Sequence, residues 1–220
     1  MTMSDRAAAP STPVPTRLGA SYYKLFWASV VSNLGDGMSL IAYPWLASAV
    51  TRNPLLVALV AVAQRLPWLV FTLPAGVITD RVDRRRAMIA MDALRAALTL
   101  VVAFAVLGRQ GSLPGPDEVD SVIGTRTGLY ALVLLATLLL GMAEVLRDNS
   151  GQTLMPNLVH PAQLEKANGR LWSIEMVANT FLGPPLGSLL LVGAFALPFF
   201  VDAGSFFVGV VVVLGYYLWR

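Results

Sequence analysis

The sequence predicts an all-α membrane protein of six transmembrane helices, and three observations carry that expectation. Apolar residues make up 56% of the 220 positions and charged ones only 13%, with a strongly positive mean hydropathy, which is more apolar than soluble domains are. Several runs reach the roughly 20 apolar residues needed to cross a hydrocarbon core about 30 Å thick. The connections between these runs are mostly short, and none holds a soluble domain.

The expected spans are 25–50, 54–79, 87–107, 128–147, 169–193 and 197–219. Before them, MTMSDRAAAPSTPVPTRLGA is rich in Pro, Ala and Ser and has no apolar core. It does not read as a signal peptide, so residues 1–21 are expected to be a disordered cytoplasmic tail, with the first helix serving as the targeting signal and 22–220 forming the transmembrane domain. The segment 108–127 is polar, with Gly, Pro and three acids, and reads as a flexible external loop. Residues 148–168 are interrupted at Pro156 and restart at Pro161, a favoured first-turn residue, as an amphipathic lead-in to the fifth helix.

Net charge is +3, and topology accounts for it without a nucleic-acid partner. With a cytoplasmic N-terminus, Arg6, Arg17, Lys24, Arg81, Arg84, Arg85, Arg86, Arg147, Lys166, Arg170 and Arg220 fall inside, against Arg52, Arg109 and Arg126 outside. That asymmetry follows the positive-inside rule and places both termini in the cytoplasm of a cell (inner or plasma) membrane. The absence of cysteine excludes disulfides and thiolate chemistry.

One connection is denser in chemistry than the rest. In LPAGVITDRVDRRRAM, Gly76 and Asp80 stand four apart, Arg81 follows, and Asp83, Arg84, Arg85 and Arg86 complete the run. A basic inner loop satisfies the positive-inside rule on its own. The glycine one turn before an acid also permits close helix approach, and an acid followed by guanidinium groups can latch one helix end to its neighbours. The spacing resembles G-x-x-x-D-R/K-x-G-R/K-R/K, the loop signature between the second and third helices of the major facilitator superfamily, with Asp83 in place of the second glycine. SNLGDGMSLIAYPWL and LEKANGRLWSIEMVANTFLGPPLG are similar to the branch of that superfamily containing siderophore and macrolide exporters. Gly183, Pro184, Gly187 and Ser188 resemble the tail of its antiporter motif G-P-x-x-G-G, although Asn179 stands where an upstream glycine belongs.

The resemblance covers residues from about 18 to 220. It implies the N-terminal half of a secondary active transporter, made of two inverted three-helix repeats, that exports a small amphipathic compound such as a drug or siderophore in exchange for protons. The inner loop is expected to act as a conformational latch, with Asp80 at the helix end and Arg84 paired with an acid at the foot of the fourth helix, Asp148.

Charges buried in a membrane are costly and mark function or helix pairing. Asp36, Arg65, Glu144 and Glu175 are the deep ones. Ser32, Asp36, Ser39 and Tyr43 form one stripe on the first helix, Thr137, Gly141, Glu144 and Asp148 on the fourth, and Trp172, Glu175, Asn179 and Gly183 on the fifth. Helices one, two, four and five are therefore expected to line a wet cavity, with the more uniformly apolar third and sixth facing lipid. Three acids against one deep arginine leave two carboxylates that must take up a proton or meet a cation, which favours Asp36 and Glu144 as proton-coupling groups, with Arg65 modulating them, over simple bundle glue. Gly35 and Gly37 leave space beside the Asp36 carboxylate. His160 reads as a surface or capping residue, Asp92 and Arg95 as a local ion pair, and Asp202 as a rim residue without a role.

No cofactor or metal is expected. An intramembrane enzyme is disfavoured by the single histidine and the lack of H-E-x-x-H or G-x-S-x-G. A non-transporting scaffold or regulatory half-transporter stays open as the alternative. With six helices alone the polar stripes have no facing wall, so the expected partners are the lipid bilayer, a small-molecule substrate, protons and a second six-helix half, from the same or a different chain.

Overall fold

The computed structural model describes residues 17–114 and 123–218. The expected tail lies outside the described residues up to position 16, as do positions 115–122 of the external loop. Among the described residues eight α-helices follow in order: α1 (Ala20–Val50), α2 (Pro54–Val70), α3 (Thr72–Arg81), α4 (Arg84–Leu107), α5 (Thr127–Leu154), α6 (Leu164–Met176), α7 (Gly183–Gly193) and α8 (Leu197–Leu218). A π-helical segment, Val177–Leu182, joins α6 to α7.

Local chemistry places several of these ends. The Asn53 side chain accepts from Leu55 N at the start of α2, where Pro54 occupies the first turn. Asp83 caps α4 by accepting from Arg86 N at 2.8 Å, so the residue that departs from the loop signature has a helix-starting task. The fourth predicted span runs seven residues past its expected end, to Leu154, and closes in a 3-10 turn at Met155–Asn157. His160 caps the next turn, its Nδ1 accepting from Ala162 N.

Four helical stretches among the described residues are long and apolar enough to cross a membrane: Arg84–Leu107, Thr127–Asn157, Pro161–Gly193 and Leu197–Gly215. The bent pair Pro54–Val70 and Thr72–Arg81 makes a fifth when counted as one span. This corrects the unbroken second helix expected over 54–79, since α2 and α3 meet at 55°. Pro74 supplies the reason, because it lacks the N–H that would bond the carbonyl of Val70 and its ring crowds that oxygen. α1 is 31 residues long but falls outside the set, its length interrupted by Ser29, Ser32, Asn33, Asp36 and Ser39.

α1 packs on α8 and α7, α4 on α5 and α8, and α2 on α5. Two apolar clusters result. One gathers Tyr43, Leu46, Val50, Val102, Val106, Val133 and Phe199, and the other Tyr22, Leu25, Met88, Leu154, Met155 and Val213. On α1, α4, α5 and α8 alike, the stretch between the two clusters carries the charged residues described next.

Candidate functional site: a buried charge layer and its recess

α1 comes closest to its neighbours where it is barest. A Cβ on Gly183 would lie 2.5 Å from Gly37 Cα, and one on Gly187 2.7 Å from the Met38 carbonyl oxygen. These contacts give the motif glycines of α7 a packing task against α1. Gly37 thus makes room for the backbone of Asn179 and Gly183, and Gly35 for the side chains of Asp202 and Ser205. Neither opens space beside Asp36 as expected.

The charge layer centres on two arginines. Arg95, 1% exposed, pairs through Nη2 with Asp36 Oδ1, reaches Asp92 Oδ1 at 3.8 Å and donates to Ser32 Oγ at 3.4 Å. Its guanidinium carbon lies 4.0 Å from the centre of the Phe206 ring, a cation–π arrangement. Arg147, also buried, approaches Asp92 Oδ1 at 3.5 Å and Asp148 Oδ1 at 3.0 Å. Two guanidinium groups are therefore shared among Asp36, Asp92 and Asp148, tying α1, α4 and α5 together.

Beside this layer opens a recess walled by Asp36, Ser39, Tyr43, Gln64, Arg65, Arg95, Thr137, Gly141, Glu144, Asn179, Asp202 and Phe206. Of the predicted residues, Asp36, Ser39, Tyr43, Arg65, Glu144 and Asn179 meet here. Ser32 lies behind it as an Arg95 partner, and Glu175 stays half-buried on α6 away from the wall. Trp172, expected on the same stripe as Asn179, is 64% exposed.

Three expectations change. The third and sixth predicted helices, α4 and α8, are part of the wall through Arg95, Asp202 and Phe206 and are not merely lipid-facing support. The tally of three deep acids against one arginine omitted Arg95, read as a local partner of Asp92, and Arg147, assigned to the inner rim. Asp202 is 1% exposed and accepts from Ser39 Oγ at 2.6 Å, far from a rim residue in its surroundings. Gln64, whose Nε2 donates to the Ser39 carbonyl at 3.1 Å, was missed because a lone amide in an apolar run carries no spacing signal.

The latch residues lie around the α3–α4 turn. Gly76, Asp80 and Arg81 are on α3, and Arg84 and Arg85 open α4. The expected Arg84–Asp148 pair is not formed in this conformation: Asp148 is held by Arg147, whereas Arg84 Nη1 donates to the Thr153 carbonyl at 3.1 Å. A Cβ at Gly76 would meet nothing within 4 Å, so no close helix approach occurs there.

A family model for transmembrane secretion effectors matches residues 11–220. The chain belongs to this family. Membership in the transmembrane secretion effector family places it in the major facilitator superfamily and makes it an integral membrane protein, in keeping with its loop signature and apolar helices. Among curated proteins, the multidrug efflux pump Tap of Mycobacterium tuberculosis and that of Mycobacterium bovis are each 29% identical over 171 residues, covering 77% of this chain and 37% of their own length. The Tap pump of Mycolicibacterium fortuitum is 27% identical over 194 residues, covering 83% of this chain and 42% of its own. The family member described here thus matches well under half the length of these relatives. No solved structure matches it.

Proposed function

We propose that this chain is the six-helix half of an export transporter that expels a small amphipathic compound, such as a drug or siderophore, in exchange for protons. The observation that carries the reading is the recess itself: three carboxylates, two arginines and several hydroxyl and amide groups converge at the middle of helices built to lie in lipid. Polar groups at that depth are costly unless they serve a pathway. The efflux pumps it resembles extend beyond the matched region by more than its own length, enough for a second such half to face the recess.

In this reading α1 and the bent α2–α3 pair are spans alongside the other four, arranged as two inverted three-helix repeats, with both termini cytoplasmic in the inner or plasma membrane. Asp36 and Glu144 couple protons to movement, since protonation removes a charge that closure of the cavity would otherwise strand in apolar surroundings. Arg95 rather than Arg65 is the direct partner of Asp36, and Arg65 acts from the recess wall. The basic loop holds the foot of α5 through Arg84, and exchange of its Thr153 contact for Asp148 in the opposite conformation would make it a latch.

The test is ethidium efflux from proteoliposomes of the working transporter under an imposed pH gradient. Asp36→Asn is expected to retain dye binding but lose gradient-driven efflux. Unchanged efflux in that variant overturns the coupling role, and a chain that moves no ethidium, drug or siderophore under any gradient is a scaffold or regulatory half.

A further inference from the structure

The coupling reading leaves one buried acid of the recess wall without a task. Asp202 projects from α8 at 1% exposure, and both arginines of the charge layer are engaged elsewhere, Arg95 by Asp36 and Asp92, Arg147 by Asp92 and Asp148. Its own partners are hydroxyls. Ser39 Oγ donates to Oδ2 at 2.6 Å, and Ser205 Oγ, 3.5 Å from Oδ1, already donates to the Asp202 carbonyl at 2.7 Å.

An ionised carboxylate buried with a single full hydrogen bond and no ion pair is poorly compensated, whereas the neutral acid keeps the Ser39 bond and brings a donor of its own to it. A hydroxyl shares this buried wall: Tyr43 Oη, 1% exposed on the same recess, lies between Asp202 and the Thr99 hydroxyl of α4. Space for the group is built into α1, since any Cβ at position 35 would strike Asp202 Oδ1 and Ser205 Oγ. The titratable and charged groups facing it are Asp36 and Tyr43 from α1 and Arg95 from α4.

We propose that Asp202 is a proton-binding site, loaded from the recess through the hydroxyl of Ser39. The Ser39 Oγ–H bond gives its proton to Oδ2 while Oγ takes one from a hydronium ion in the recess. Ser39 remains a neutral hydroxyl but now accepts from the Oδ2–H, water is released, and Asp202 becomes a neutral acid; unloading runs the same transfers backwards. The Asp36–Arg95 pair stays whole throughout, so loading does not require the helices to part. This deepens the coupling reading, on which it rests for the recess being the proton's route.

The experiment is infrared difference spectroscopy of the chain in lipid vesicles, between alkaline and acidic buffer, following the C=O stretch of protonated carboxyls. The native chain is expected to show a component that Asp202→Asn removes and Glu144→Gln does not. Ser39→Ala is expected to keep that component but displace its frequency, and it stands in where the asparagine variant fails to fold. A full native carboxyl signal in Asp202→Asn, or an unshifted one in Ser39→Ala, overturns the proposal. The readout needs no transport: loss of the component alongside unaltered ethidium efflux by Asp36→Asn upholds the proton site and removes the coupling role given to Asp36.

Discussion

Replacing Gly183 by alanine puts a methyl group where the backbones of α1 and α7 already touch. Its carbon would sit 2.5 Å from Gly37 Cα, 2.7 Å from Gly37 C and 2.9 Å from Met38 N. Ordinary contact begins at 3.4 Å, which leaves a shortfall of 0.9 Å, and every atom met is main chain, so no side chain can swing aside. α7 must retreat from α1 by close to that distance, loosening the fit along the helix that carries Asp36. Overpacking of this kind costs about 1–3 kcal/mol. Thermal unfolding in detergent, followed by tryptophan fluorescence, measures the loss. Gly169→Ala is the control, because nothing lies within 4 Å of a Cβ there and alanine within a helix is favoured over glycine by roughly 0.5–1 kcal/mol. Coincident melting of the two variants would refute the close-packing argument.

Further outcomes follow from the charge layer and the helix ends. Arg95→Gln leaves Asp36 and Asp92 short of a cation and should destabilise by about 3–5 kcal/mol, with Asp36→Asn in the same chain recovering part of it; a double variant no more stable than the single in thermal melts would contradict the pairing. Asp83→Ala should cost ~1 kcal/mol through the lost α4 cap while Asp83→Gly costs only a few tenths, and equal melting temperatures for the two would remove the capping role. Tyr22→Phe deletes the 3.1 Å bond from its hydroxyl to the Ala167 carbonyl and should cost about 1 kcal/mol, measured as earlier unfolding; a neutral result would show the bond to be replaceable.

Helix positions were readable because apolar runs, Pro54, Pro161 and the capping side chains are local signals. The α2–α3 break was readable in principle at Pro74, but an apolar run long enough to span masks a proline within it. Asp36, Glu144 and Asn179 reached the same recess because stripes on single helices follow from spacing alone. Which arginine meets which acid does not: Arg95 sits three residues from Asp92, and only the packing of α1 and α4 on the same helix, α8, brings Asp36 to it. Arg147 was misplaced for a related reason, since α5 continues seven residues past the charge that looked like its end. Asp202 was hidden in the apolar sequence of α8, where only the tertiary fold supplies Ser39.

The π-helical turn at Val177–Leu182 sets how α7 faces relative to α6. Bonds from i to i+5 accommodate a residue more than the α pattern does, and at 3.6 residues per turn a single surplus residue rotates everything beyond it by about 100°. Spacing rules carried from α6 into α7 therefore slip by one position, which is how Trp172 and Gly183 can share a periodicity on paper while Trp172 stays exposed and Gly183 packs on α1. Deleting one residue from 177–182 would remove that surplus and swing either the Gly183–Gly187 edge or the Asn179 side out of place.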